Sequence, residues 1–171
     1  MTMRKVEVAE ELKEQLPEAI EGVYKLKEKP LLLVKRDSLV EVCSAAKELG
    51  FDFLMCIAGI DRPEEGVLEA TYNLYSYERR EHLVIKARCP REEALLPSVT
   101  SVWKAALFLE RETYDLVGIS FEGHPDLRRI LLPEPWQGHP LRKDYDMEKE
   151  QFVSKGPQGE DIVTANPKEG W

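Results

Sequence analysis

Glu110, Arg111, Glu112 and Asp115 open a run of polar side chains that continues through His124, Arg128, Arg129, Trp136, His139 and Arg142. Carboxylates, imidazoles and guanidinium groups in one stretch could move protons, ligate a metal, bind an anion or pair with one another. Metal ligation needs His, Cys or carboxylates converging at short spacing. Glu122 and Asp126 flank His124, but their spacing fits no standard metal site. There is no glycine-rich phosphate loop, no Gly-x-Ser-x-Gly elbow and no His-Glu-x-x-His. Polar chemistry without a reaction centre is what a docking surface carries.

The elements around the run set what each group can do. On a helix over 102–117, Trp103, Ala106, Leu107, Tyr114 and Val117 share one face, with Glu110 in its middle. A carboxylate there loses hydration unless a cation or hydrogen-bond donors meet it. Glu110 is either a proton-handling or partner-locking group, or the internal partner of Arg128, Arg129 or Arg142. Arg111 and Asp115 have the i, i+4 spacing of an ion pair. Glu112 lies nearly opposite Glu110, beside Phe108, Leu109 and Leu116, so the helix is apolar on more than one side. Such a helix is sandwiched between its own sheet and something else. His124 and His139 each precede a proline, which favours extended backbone and hydrogen bonding in tight turns. Arg128 and Arg129 form either a small anion site or ion pairs across an interface. Trp136, between Pro135 and Gly138, reads as an exposed interface anchor.

Upstream, 6–20 has helical spacing interrupted by Pro17, and 31–35 is a short strand. Ser38 and Glu41 have capping-box spacing ahead of a helix whose apolar stripe is Leu39, Val42, Cys43, Ala46 and Leu49, stopped by Gly50. Three strands follow. The first, 51–60, is apolar on both faces and reads as central. The next two, 68–77 and 82–88, alternate and are joined by short loops, so they form antiparallel hairpins. The order predicts an α+β fold: a two-layer sandwich of a mostly antiparallel sheet with helices packed on it, followed by an extended irregular C-terminal arm. The sandwich covers 1–119. The arm covers 120–171 and either lies on the sandwich or wraps a neighbour. Prolines 125, 133, 135 and 140 break it up, leaving room for one helical turn at 126–131. Beyond Tyr145 the tail is too polar to build a core.

The bulk numbers exclude several classes. A net charge of -8 argues against nucleic acid, which needs surplus cations. Cys43, Cys56 and Cys89 contain no Cys-x-x-Cys pair, which argues against a cluster or structural zinc held by this chain. The N-terminus reads as an amphipathic helix without a signal peptide's apolar block, and the longest apolar stretch is too short to span a bilayer. Membrane contact would therefore come through partners.

The residues Glu110-Arg111-Glu112, Asp115-Leu116-Val117, 123–131 (GHPDLRRIL) and 138–145 (GHPLRKDY) closely resemble the signature of the 30 kDa subunit of proton-pumping NADH:quinone oxidoreductase (respiratory complex I). The strands at 50–54 and 72–76 resemble it more loosely. The resemblance implies a scaffold that binds no cofactor, on the cytoplasmic side of the cell membrane. NAD, FMN, iron–sulfur clusters and quinone would sit in partner subunits. The arm would wrap the large quinone-site subunit that resembles nickel–iron hydrogenases, with cluster-bearing subunits nearby. The isolated chain would have no activity. Related subunits serve membrane-bound hydrogenases, coenzyme F420 dehydrogenases and ferredoxin-dependent complexes. A free-standing acid/base enzyme using Glu110 and His124, or a free-standing binding module, are the readings outside that class.

Overall fold

The computed structural model describes residues 4–27, 29–148 and 151–164. Its main body alternates α1 (Arg4–Gln15), β1 (Ile20–Leu26), β2 (Lys29–Val34), α2 (Leu39–Glu48), β3 (Phe53–Arg62), β4 (Val67–Ser76) and β5 (Glu81–Pro90). The short β6 (Leu95–Pro97), α3 (Ala106–Val117) and β7 (Ser120–Glu122) follow, and β8 (Phe152–Lys155) pairs with β9 (Asp161–Thr164) near the C-terminus. The five-stranded sheet has the order β1-β2-β5-β4-β3. Its pairs are antiparallel except β2 with β5. The expected α+β sandwich is present: apolar side chains of the helices and of one sheet face form a single core.

Several boundaries differ from the sequence reading. The first helix stops at Gln15, Pro17 lies in the following turn, and Ile20 begins β1. β1 shows no clean alternation, because Tyr24 and Leu26 are exposed along with Glu21 and Lys25. The capping box does not form. A 3-10 turn at Arg36–Ser38 runs directly into α2, and the Ser38 side chain makes no capping bond. The stripe of α2 is as read, with Leu39, Val42, Cys43 and Ala46 buried.

The strand read as central, β3, is an edge strand. Its second apolar face, with Phe53, Met55, Cys56 and Ala58, is exposed. On β4, by contrast, an outward-pointing Glu69 is fully buried. Lys86 at 2.5 Å, Arg88 at 2.8 Å and Arg62 at 3.4 Å surround it. Burial raises its pKa, but bonds from Lys86 and Arg88 outweigh this and hold it below the ordinary value.

The third helix starts later than read, at Ala106, because residues 98–105 form a loop that anchors Trp103 through Nε1 to the Phe51 carbonyl at 3.2 Å. It crosses β3 very closely at Gly59. A Cβ there would lie 2.8 Å from Val117 Cγ2 and 2.9 Å from Thr113 Cγ2. We expect Gly59→Val to lift α3 off the sheet and cost about 1–3 kcal/mol, read as a lower midpoint in denaturant.

Candidate functional site

The C-terminal end of α3 is where the polar run converges. Gly118 ends the helix in the left-handed region (φ 80°), with its N–H bonded to the Tyr114 carbonyl at 2.9 Å. Helix C-termini leave carbonyls without intrahelical partners. Here the arm supplies donors for them. Arg142 Nε donates to the Val117 carbonyl at 2.8 Å and Nη2 to that of Gly118 at 3.2 Å. The Leu141 N–H donates to the Leu116 carbonyl at 2.9 Å. A cation there also complements the helix dipole. Gly118 is required twice over, because a Cβ would meet His139 Cδ2 at 2.5 Å.

Asp115, fully buried, is the hub. Its Oδ2 accepts the N–H groups of Ile130, Leu131 and Leu132 at 3.0, 2.8 and 2.9 Å, and its Oδ1 accepts Arg129 Nη1 at 2.7 Å. Burial pushes its pKa up, but the Leu132, Arg129, Leu131 and Ile130 donors more than offset this and the net shift is downward. Arg129 also donates to the carbonyls of Trp136 and Gly138, both at 2.9 Å. It is thus an internal clasp. The anticipated Arg111–Asp115 pair is absent. Arg111 instead donates to the carbonyls of Arg128 and Arg129 at 3.1 and 2.9 Å. The helical turn anticipated at 126–131 does not form, because the amides at 130–132 are committed to Asp115.

The histidines brace backbone. His124 Nδ1 accepts the Asp126 N–H at 3.0 Å, so Nε2 carries the proton and donates to the Leu107 carbonyl at 3.1 Å. His139 has the opposite tautomer, donating from Nδ1 to the Asp115 carbonyl at 2.9 Å. Burial lowers the pKa of His139, which favours the neutral ring. Trp136 is half-buried where an exposed ring was expected, and its Nε1 donates to the Tyr145 hydroxyl at 3.1 Å. Arg128 is exposed and pairs with an equally exposed Asp126 at 3.0 Å. Glu112 is exposed.

Glu110 has none of the arginine partners expected for it. It is fully buried, and it accepts the Val99 N–H and the Ser98 hydroxyl, each at 2.7 Å. Arginines 129 and 142 reach other acceptors near the helix end, and the loop before α3 fills the space beside Glu110. Burial raises its pKa to about 7, with the Ser98 and Val99 bonds pulling the other way. Among the described residues no group of three His, Cys, Asp or Glu is placed to hold a metal.

The sequence reading missed Ser98, Asp61 and Arg91. Asp61 bonds Arg91 at 2.8 Å and the Lys143 N–H at 2.8 Å, and Arg91 also meets Asp144 at 2.6 Å. These contacts fix the arm at a second point on the sheet. No spacing rule connects residues so far apart. The tail, read as too polar to build a core, contains the β8–β9 hairpin, too short to register as a pattern.

Residues 32–151 match the family described as "Respiratory-chain NADH dehydrogenase, 30 Kd subunit". The chain belongs to that family. Every residue of the clasp falls within the matched span. A family member from Chlorobium phaeobacteroides, the C subunit of an NADH-quinone oxidoreductase, is 46% identical over 111 residues, covering 64% of this chain and 67% of its own. In solved structures, a chain of the membrane-bound sulfane sulfur reductase, an archaeal respiratory membrane complex, superposes with a TM-score of 0.73 at 28% identity. That match covers 82% of this chain and 85% of the other. The trypsin-resistant fragment (1-134) of Nqo5 superposes with a TM-score of 0.61 at 32% identity, covering 74% of this chain and all of the fragment. No helix among the described residues is long and apolar enough to cross a membrane.

Proposed function

We propose that this chain is a cofactor-free structural subunit in the peripheral arm of a membrane-associated NADH:quinone oxidoreductase. It supports the large quinone-site subunit, while NAD, FMN, iron–sulfur clusters and quinone reside in partners whose electron transfer drives proton translocation. The chain sits on the cytoplasmic face and reaches the membrane only through the complex. One observation carries this reading beyond family membership: the polar groups of the clasp are directed at the chain's own backbone, while apolar side chains are left facing out. Leu131 is 61% exposed, Leu141 56% and Phe108 61%. Groups spent on holding a segment in place are unavailable for chemistry, and a rigid, greasy segment is what an interface requires. Residues 129–144 are bonded to α3 and to the sheet, so the arm that wraps the neighbour presents a preformed surface.

The likeness to the sulfane sulfur reductase complex favours a second reading: the same scaffolding role in a related membrane complex, of the hydrogenase, F420 or ferredoxin-dependent kind, that takes electrons from another donor. Affinity purification of the tagged chain from native membranes separates the two by the donor-binding subunits recovered. Arg128 tests the scaffolding role itself, because it is exposed and its replacement leaves the clasp intact. Arg128→Ala should lower the yield of assembled complex and leave turnover per complex unchanged. Normal yield with reduced turnover would assign Arg128 to the chemistry instead.

A further inference from the structure

The edge of β3 is open in a way that a solitary protein avoids. Among the described residues β4 is the one strand paired with it, and the Thr113 hydroxyl of α3 reaches the Ile57 carbonyl at 3.5 Å. Residues 53–60, FLMCIAGI, carry no charge, and Phe53 and Met55 are 43% and 44% exposed, with Cys56 and Ala58 also exposed. Long uncharged edges template pairing with other chains, and natural proteins blunt them with charges, bulges or covering segments. The opposite edge, β1, follows that rule: Glu21 and Lys25 lie within it and its register is interrupted between Ile20 and Gly22. On β3 the single irregularity falls between Leu54 and Cys56, and the pairing from Cys56 to Arg62 is regular.

A groove of about 200 Å³ runs beside this edge, between β3 and α3, with Ala58, Gly59, Leu116 and Leu141 among its walls. Glu112 is the one ionisable group lining it. Glu112 is exposed, and among the described residues it has no hydrogen-bond or ion-pair partner.

Resting on the subunit reading above, we propose that β3 is completed by an extended segment of a partner subunit. That segment adds as a sixth strand, with alternating apolar side chains and a Lys or Arg placed against Glu112. Strand addition satisfies the free backbone groups of the edge, and the pocketed side chains set the register. The charge pattern selects the partner. A second copy of this chain would bring another net charge of -8, a cation-free 53–60 segment and a second Glu112 into the same groove. A basic, apolar-alternating strand meets both the apolar walls and the carboxylate.

Hydrogen exchange on the isolated chain and on the complex purified from native membranes tests this directly. In the isolated chain, peptides spanning 53–60 should retain fast-exchanging amides from the open edge. In the complex these amides should slow by about tenfold or more. Ala58→Lys and Glu112→Lys should leave the melting of the isolated chain unchanged and lower complex yield by about tenfold. Assembly with unchanged exchange at 53–60 would overturn the inference and leave the subunit reading standing. Failure of the chain to co-purify with any redox subunit would overturn both. Concentration-dependent protection in the isolated chain, with a dimer mass in sedimentation, would assign the edge to a second copy and overturn the inference alone.

Discussion

Replacing Asp115 with Ala should free the arm while the sheet remains folded. The substitution strands four donors at once: Arg129 Nη1 and the amides of Ile130, Leu131 and Leu132. Asp115 is fully buried and the Arg129 side chain is only 10% exposed, so water cannot easily replace the lost partner. Breaking such a pair from one side costs about 3–5 kcal/mol, enough to move the arm from closed to mostly open if its closure is of similar size. The expected readout is faster trypsin cleavage after Arg128 and Arg129 than in the parent, with the main unfolding transition retained. The same carboxylate sets an acid limit. Its folded pKa is depressed, so its contribution is complete above the ordinary carboxylate value and is lost as pH falls through the lower folded value. Arm release in the parent should therefore appear only below about pH 4, and Asp115→Ala should lack that acid step. Protease resistance equal to the parent's would mean that Arg142 and the Asp61–Arg91–Asp144 contacts hold the arm without the hub.

What could be read from the sequence, and what could not, follows from the kind of partner each residue has. The stripe of α2 and the β4–β5 hairpin were legible because burial imposes a period on side chains, and the period is written in the residues. The polar run was legible as a group of residues and as a family signature. Its wiring was not. Arg111, Arg129, Arg142, His124 and His139 all bond to carbonyls, and carbonyls are the same at every position, so no spacing announces them. Charge complementarity accordingly proposed an arginine for Glu110 where the protein uses a serine hydroxyl and a backbone amide. The misplacement of β3 has a different cause. A strand apolar on both faces is normally covered on both, and sequence alone does not distinguish cover by the same chain from cover by another. The clasp and the open edge meet along α3: one flank of the helix is saturated by the arm, and the other borders β3 with Glu112 unpaired. A chain that has spent its polar groups internally on one flank and left the neighbouring edge bare is organised for assembly from both directions.

Glu110→Gln should stabilise the protein above neutral pH by about 3 kcal/mol and leave it nearly unchanged near pH 4. The carboxyl is buried without a cation. The titratable groups that face it, Cys43 from α2 and Tyr72 from β4, are both driven upward, first by burial and further by the Glu110 charge itself. Burial carries Glu110 from 4.5 to about 7. Each pH unit of that gap is worth about 1.4 kcal/mol. Below 4.5 both folded and unfolded chains hold the proton and the group is neutral in its effect. Between 4.5 and 7 the unfolded chain loses its proton while the folded chain keeps it, so stability falls as pH rises, and above about 7 the full loss is in place. Glutamine keeps the shape and can still accept the Val99 N–H and donate to Ser98, but it carries no charge to desolvate. Denaturant midpoints at a series of pH values should show a sloping parent curve and a flat variant curve that meet in acid. Parallel curves would mean that Glu110 titrates alike in folded and unfolded chains. Glu110→Ala supplies the contrast. It removes the charge but orphans the Val99 amide, so it should destabilise by about 1–3 kcal/mol near pH 4, a loss that removal of the charge offsets above about pH 7. The carboxyl is retained, on this account, because it ties the 98–105 loop to α3 and so fixes where the helix begins, at a cost to stability that only neutral and alkaline pH expose.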